Sequence, residues 1–457
     1  MQQARDPRRG LWLAAALCIW LLALAASQRI PPMQSPDEPS HVARAYLLCR
    51  GEGLLHTPPG ESSGGAVDRA LDELVQPYLR LARESSLRLR ADESQALAAL
   101  RWSGKEAFVP IPSTGYLLPF IYVPQAAGLC LGRALELPVQ ASYGLARALT
   151  LMVSLLWLLA AVRLHNPGPL TLLLLCLPMS LFQWLSPTVD GLSHAMTVWL
   201  ASAFVRLYSG DAMGSAALRL AWVAVIAVLA GSRTHLLPAF LLPLALCLRR
   251  RDALLAFATL AALAAVLAWY AWVATHLVDQ RIVRSAGLPQ IIGHYAARPA
   301  ELLAVVYATL GDAQTRLFYG QSFIGILGWL DTMLPLWAYP ALGSMLAATA
   351  VLSALRGTVG AAAPWLLAAA AASVPLVFAA LLVGWSEFPA TRIDGVQGRY
   401  FIAPALLAAA ALAAPRRSER QPRTWRRAAG TAAGAVALAG AALGAYIFWV
   451  TLTLRYH

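Results

Sequence analysis

Long apolar segments return along almost the whole chain, separated by short polar or basic turns. A bilayer core asks for about 20 consecutive apolar residues per crossing helix. The spanning segment must also satisfy its own backbone polar groups. Many such segments in one chain predict an all-α polytopic membrane protein, one integral membrane domain over residues 1–457. Composition agrees, because 59% of residues are hydrophobic and only 13% charged, against roughly a quarter charged in soluble domains.

The formal charge of +13 would suggest nucleic acid in a soluble protein. Here the arginine clusters sit between apolar segments and act as topology anchors, so no nucleic-acid partner is expected. The five cysteines, Cys18, Cys49, Cys130, Cys176 and Cys247, show no paired spacing. Four of them lie in apolar segments and are expected to be small packing residues, with no disulfide framework and no metal cluster.

The start, RDPRRG followed by LWLAAALCIWLLALAAS, looks like a signal peptide and is read as an uncleaved first membrane helix. Spans are expected near 11–27, 143–162, 169–186, 190–208, 216–232, 235–248, 254–276, 336–355, 362–384, 399–414 and 429–452, about 11–12 helices in all. RDPRR, RRRD at 249–252 and PRRSERQPRTWRR at 415–427 should be cytoplasmic. Counting outward places Asp37, Asp190, Arg233, 278–335 and 386–398 on the external side. Residues 111–132 are apolar enough to cross, but crossing would break that parity. Pro112, Pro119 and Pro124 favour a juxtamembrane or re-entrant segment instead.

Two external regions stand out. Residues 28–110 form a first external loop with helical stretches near 67–84 and 91–101, and residues 278–335 form a second, containing GILGWLDTMLP. Internal repeats with broken helices, the mark of many transporters, are not evident. The layout fits an enzyme working at the membrane surface.

Chemistry concentrates at the predicted external boundary. In PPMQSPDEPSHVARAY, Asp37 and Glu38 open a helix between Pro36 and Pro39, with Asp37, His41 and Arg44 on one face. Asp37 is either a helix cap or a general base for an incoming hydroxyl. In VQGRYF, Gln397, Arg399 and Tyr400 stand where lipid phosphates lie. A guanidinium fork matches phosphate oxygens, while an interfacial Arg beside an aromatic can also simply snorkel. Gly395 and Gly398 would allow close backbone approach. GSRTHLLP places Arg233 and His235 in a tight external turn, where topology bias does not ask for positive charge. SPTVDGLSH puts Asp190 at a helix start, as cap or acid, with His194 one turn inward. Lys105, the only lysine, lies in WSGKEAFVPIPSTGY; GWLDTMLP adds Asp331, and Trp329 as a sugar-stacking or core residue.

With these motifs in view, the chain resembles the GT-C superfamily of membrane glycosyltransferases, which carry an acidic residue or pair in the first external loop and use polyprenyl-phosphate sugars. More narrowly, PDEPSH with RAY, SPTVDGLSH, GWLDTMLP and QGRYF resemble a bacterial family of predicted membrane proteins grouped with that superfamily, over most of residues 11–414. The resemblance implies a GT-C-like bundle with juxtamembrane helices in its first loop. It matches Asp37 to the catalytic acid, with Glu38 beside it, and Asp190 to a second acidic position. The implied activity is inverting transfer of a sugar from a polyprenyl-phosphate donor to a cell-envelope glycan or lipid-linked acceptor. The implied setting is the bacterial inner membrane, with the site facing the periplasm or cell exterior. A flippase of lipid-linked sugars and a non-catalytic envelope-assembly protein are the competing classes. The carboxylates could hold Mg²⁺ or Mn²⁺, but no full ligand set is visible.

Overall fold

The computed structural model describes residues 21, 25–27, 29–84, 86–210, 214–281, 285–356, 360–414 and 424–456. The expected span at 11–27 and the basic stretches RDPRR and 415–423 fall largely or wholly outside the described residues.

The first loop region is a folded module. Helix α1 (Glu38–Cys49) starts beyond the proline-bracketed turn. Strand β1 (Gly64–Asp68) leads into α2 (Arg69–Arg83) and α3 (Ala91–Ala99), then returns as β2 (Glu106–Pro110). The strands pair antiparallel, with Gly64 opposite Pro110 and Asp68 opposite Glu106. Asp68 fastens the module: its carboxylate caps α2 at Ala70 N (2.9 Å) and accepts from Ser103 N (3.1 Å) and Gly104 N (2.9 Å).

Residues 111–132 break up, as their prolines predict. Two 3-10 turns, Pro112–Thr114 and Pro119–Tyr122, precede α4 (Val123–Ala134). Its 12 residues span about 18 Å at 1.5 Å per residue, short of the ~30 Å hydrocarbon core. Both ends of the segment attach to the same module. Ile111 N bonds Ser63 O at 3.0 Å, and Cys130 is disulfide-bonded to Cys49. That bond corrects the expectation of five unpaired thiols. An 81-residue separation leaves no spacing signature, and only the doubling back of 111–132 brings α4 against the end of α1.

The bundle follows. Helix α5 (Val139–Leu164) is unbroken, whereas the span expected at 169–186 is split into α6 (Pro169–Leu175) and α7 (Pro178–Trp184). Pro178 has no N–H to continue a helix. Helix α8 (Asp190–Ser209) is buried on nearly every side and forms the bundle centre. Helix α9 (Ala216–Ser232) leads into a 3-10 turn, Thr234–Phe240, which contains Pro238, and then α10 (Leu241–Arg250). Helix α11 (Ala253–His276) buries only a narrow seam at Leu255, Thr259, Val266 and Val273. Its other faces are apolar and exposed, with Phe257 at 74%, as suits a helix whose solvent is lipid.

The second loop region holds α12 (Leu288–Ala297), α13 (Pro299–Gly311), α14 (Ala313–Ile324) and a two-residue ladder of β3 (Ile326–Leu327) with β4 (Thr332–Met333). Helices α15 (Ala338–Leu355), α16 (Ala363–Gly384), α17 (Ile402–Ala413) and α18 (Thr424–Tyr456) complete the chain. Among the described residues, α5, α11, α15, α16 and α18 are long and apolar enough to cross a membrane. The other expected spans within the described residues are shorter, proline-broken or less apolar. The protein is an all-α, multi-pass membrane protein.

Candidate functional site

Four segments distant in sequence meet at one end of the bundle. Asp190 is the first residue of α8, Arg233 follows α9, Arg399 lies in the 3-10 turn Gly398–Phe401 before α17, and Asp37 immediately precedes α1. Asp190 Oδ1 accepts a hydrogen bond from Arg233 Nη2. Its Oδ2 lies 3.5 Å from Arg399 Nη1. Arg399 Nη2 in turn lies 3.9 Å from Asp37 Oδ2. A buried carboxylate thus fixes two guanidinium forks, and one fork reaches the second carboxylate.

The two acids differ in access. Asp190 is 8% exposed and committed to its arginines, so it positions them. The Asp37 side chain is 46% exposed. It makes no capping hydrogen bond, and its φ of 61° is left-handed. That removes the capping reading of Asp37. Aspartate tolerates this conformation better than most residues, at some cost, and such costs gather at functional sites.

Glu38 turns the opposite way and is 1% exposed. Its carboxylate accepts from Met33 N (3.2 Å), Ser35 N (2.8 Å) and the Tyr143 hydroxyl. It folds the loop that presents Asp37 and does not share the arginine cluster. Trp329 has the same duty, donating Nε1 to Met33 O at 2.9 Å; it is tied to the loop backbone and not displayed for stacking.

His41 belongs to the cluster electrostatically, lying in the fields of Asp37, Asp190, Arg233 and Arg399. Burial holds it down to about 4, against the raising pull of the two aspartates. It is therefore neutral at physiological pH. Its Nδ1 pairs with Tyr122 Oη at 2.6 Å, and not with Asp37 as a rotamer clamp. Arg44, one turn on, donates Nη2 to Gly53 O at 2.6 Å, while its buried Nε and Nη1 have no partner.

His194 and His235 lie close enough to feel Asp190 and Arg233. Among buried polar atoms without partners, His194 Nδ1, Ser232 Oγ and Arg399 Nε sit on the elements that carry the cluster, and Gln183, Trp184 and Ser186 precede α8. Orphans of this kind are rare in folded proteins.

Other expected site residues fall outside the cluster. Lys105 is an exposed loop residue whose backbone carbonyl receives Arg69 N. Asp331 pairs with Arg455 of α18 at 3.2 Å. Tyr400 is half-buried beside Arg399, with its ring 5.3 Å from the guanidinium carbon. Gln397 leads into the turn, with a buried, unpartnered Oε1. Gly398 owes its place to packing: a Cβ there would collide with Tyr319 O and Phe323 N of α14. Its N–H donates to Ser322 Oγ at 2.8 Å. The close approach expected of this glycine is thus to a helix.

Among the described residues no three His, Cys, Asp or Glu side chains converge to hold a metal ion. The positive charge between Asp37 and Asp190 is Arg399. Sequence reasoning missed Tyr122 and Tyr143, which support His41 and Glu38; tyrosines in apolar stretches carry no periodic signal. No curated protein and no solved structure matches the chain. Residues 18–408 match the family model described as predicted membrane protein (DUF2142), and the chain belongs to that family.

Proposed function

We propose that the protein is an inverting glycosyltransferase that moves a sugar from a polyprenyl-phosphate donor to a cell-envelope glycan or lipid-linked acceptor. The observation that carries the reading is the half-exposed Asp37 carboxylate beside Arg399, with Arg399 itself anchored by buried Asp190. Asp37 takes the proton of the acceptor hydroxyl as its oxygen attacks the anomeric carbon. The bond from that carbon to the phosphate oxygen breaks in the same displacement. The charge left on the lipid phosphate is met by Arg399 and Arg233, a fixed electrostatic environment of the type that supplies most of many rate enhancements. Because Asp190 already holds both forks, little reorganisation is needed when that charge develops.

The site faces away from the cytoplasm in this reading. Support comes from the basic loops of the sequence and from the Cys49–Cys130 disulfide, since such bonds persist in oxidising compartments. The test is transfer by purified protein in liposomes with a panel of polyprenyl-phosphate sugars. Product from at least one donor, lost in Asp37→Asn, is expected. Movement of the lipid across the bilayer without transfer, unchanged in Asp37→Asn, would make the protein a flippase instead. Neither activity in any donor would leave a non-catalytic role.

A further inference from the structure

A basic cavity, walled in part by Tyr143, lies beside Glu38 and apart from the Asp37 cluster. It encloses about 810 Å³. Its lining includes Arg29, Arg88, Arg147 and Arg455 and, among the described residues, no carboxylate. Arg147 is 7% exposed. Its guanidinium meets the carbonyls of Ser27 (2.9 Å) and Ile30 (3.1 Å) and the Tyr143 hydroxyl (2.5 Å). It touches no acidic side chain, and its Nε has no partner. Its nearest carboxylate, Glu38, is reached only through the Tyr143 hydroxyl, and the buried Nε is left unmet, a rare condition in a folded protein.

The cavity has an apolar floor as well. Gly144, Ala148 and Leu151 line it from the membrane helix α5, beside the polar Gln140 and Arg147, a run of about 10 Å at 1.5 Å per residue. A Cβ built on Gly144 would meet nothing within 4 Å, so among the described residues the helix face is open at this position. A charged mouth joined to an apolar trough on a membrane helix is the shape of an amphiphile.

The geometry points to a binding site for a phosphate-bearing lipid, with its headgroup among Arg29, Arg88 and Arg147 and one hydrocarbon chain along α5. Guanidinium forks match phosphate oxygens in pairs, and the absence of acid from the lining rejects cationic headgroups. This site is separate from the arginines assigned to the donor phosphate. It does not rest on the transferase reading, because its test measures binding.

The full chain, purified in uncharged detergent, is titrated with dioleoylphosphatidylglycerol, dioleoylphosphatidylcholine and inorganic phosphate, with thermal shift and native mass spectrometry as readouts. The anionic lipid should bind and raise the melting temperature; the zwitterionic lipid carries the same phosphate but adds a choline cation that no acid in the lining meets, so it should bind about tenfold more weakly. Gly144→Leu, at a position where a Cβ meets nothing within 4 Å, should weaken the anionic lipid about tenfold while leaving the lipid-free melting temperature in place. Arg88→Gln should weaken it a few-fold, and it keeps the test open should Arg147→Gln not fold. Equal binding of both lipids would overturn the headgroup assignment. A full shift with phosphate alone would overturn the lipid assignment in favour of a free-anion site. Unchanged affinity in both Gly144→Leu and Arg88→Gln would overturn the location.

Discussion

Replacing Asp37 by Asn separates chemistry from architecture, because the structure gives this carboxylate almost nothing structural to do. It makes no capping bond. Its one ionic contact, to Arg399, is 3.9 Å long on a side chain 46% exposed, and a screened pair of that kind contributes about 0–1 kcal/mol. Asparagine accepts the left-handed backbone at φ 61° as readily as aspartate does. The melting temperature should therefore move by no more than a few degrees. A general base contributes about 10²–10⁴-fold, or roughly 2.7–5.4 kcal/mol of barrier at 1.36 kcal/mol per tenfold. Transfer by Asp37→Asn should thus fall at least about 100-fold while donor binding persists. The assay is single-turnover transfer from a radiolabelled donor, beside a melting curve on the same preparation. Near-normal transfer would refute the assignment of the base. A joint collapse of melting temperature and rate would refute the claim that Asp37 is structurally idle.

Glu38→Gln should behave oppositely. An amide nitrogen would confront a backbone N–H or the Tyr143 hydroxyl that the carboxylate now accepts from, destabilising the fold by about 1–3 kcal/mol per unmet donor, seen as a lower melting temperature. Arg399→Lys loses the fork that touches Asp190 and Asp37 together; kcat/KM for the donor should fall about tenfold or more, and unchanged donor kinetics would remove its phosphate role. His41 stays neutral in the fold down to about 4 but charges near 6.5 when unfolded. The unfolded chain then binds the extra proton between those values, so stability should fall as pH drops through that window. Replacing His41 with Gln should flatten the decline in a pH series of melting curves.

Local chemistry made part of this fold legible. The helices expected near 67–84 and 91–101 are α2 and α3, at Arg69–Arg83 and Ala91–Ala99. The prolines of 111–132 do what a missing N–H requires. Apolar windows misled where a proline divides a hydrophobic run, because Pro178 and Pro238 leave hydropathy high while ending or distorting helices. Two long-range pairings were not legible. Cys49 with Cys130 and Asp331 with Arg455 join residues with no shared pattern, and only the tertiary path brings them together. Lys105 attracted notice by its rarity, a property of composition and not of position.

The adjacent acids Asp37 and Glu38 show why a motif underdetermines its chemistry. In an ordinary helix start, both would stand at the helix N-terminus, where either suits the macrodipole. The left-handed turn at Asp37 parts them. One side chain is thrown toward Arg399, and the other is drawn under the loop to Met33, Ser35 and Tyr143. The proline that follows explains part of this: Pro39 in the first turn needs no N–H partner, so the turn before it is free to fold onto Glu38. The pair is therefore a functional acid and its mount. Tyr143 also carries the contact to Arg147, at 2.5 Å, so the residue that supports Glu38 also lines the basic cavity. Occupancy of that cavity by an anionic lipid would draw on the same Arg147–Tyr143–Glu38 chain that holds the Asp37 loop.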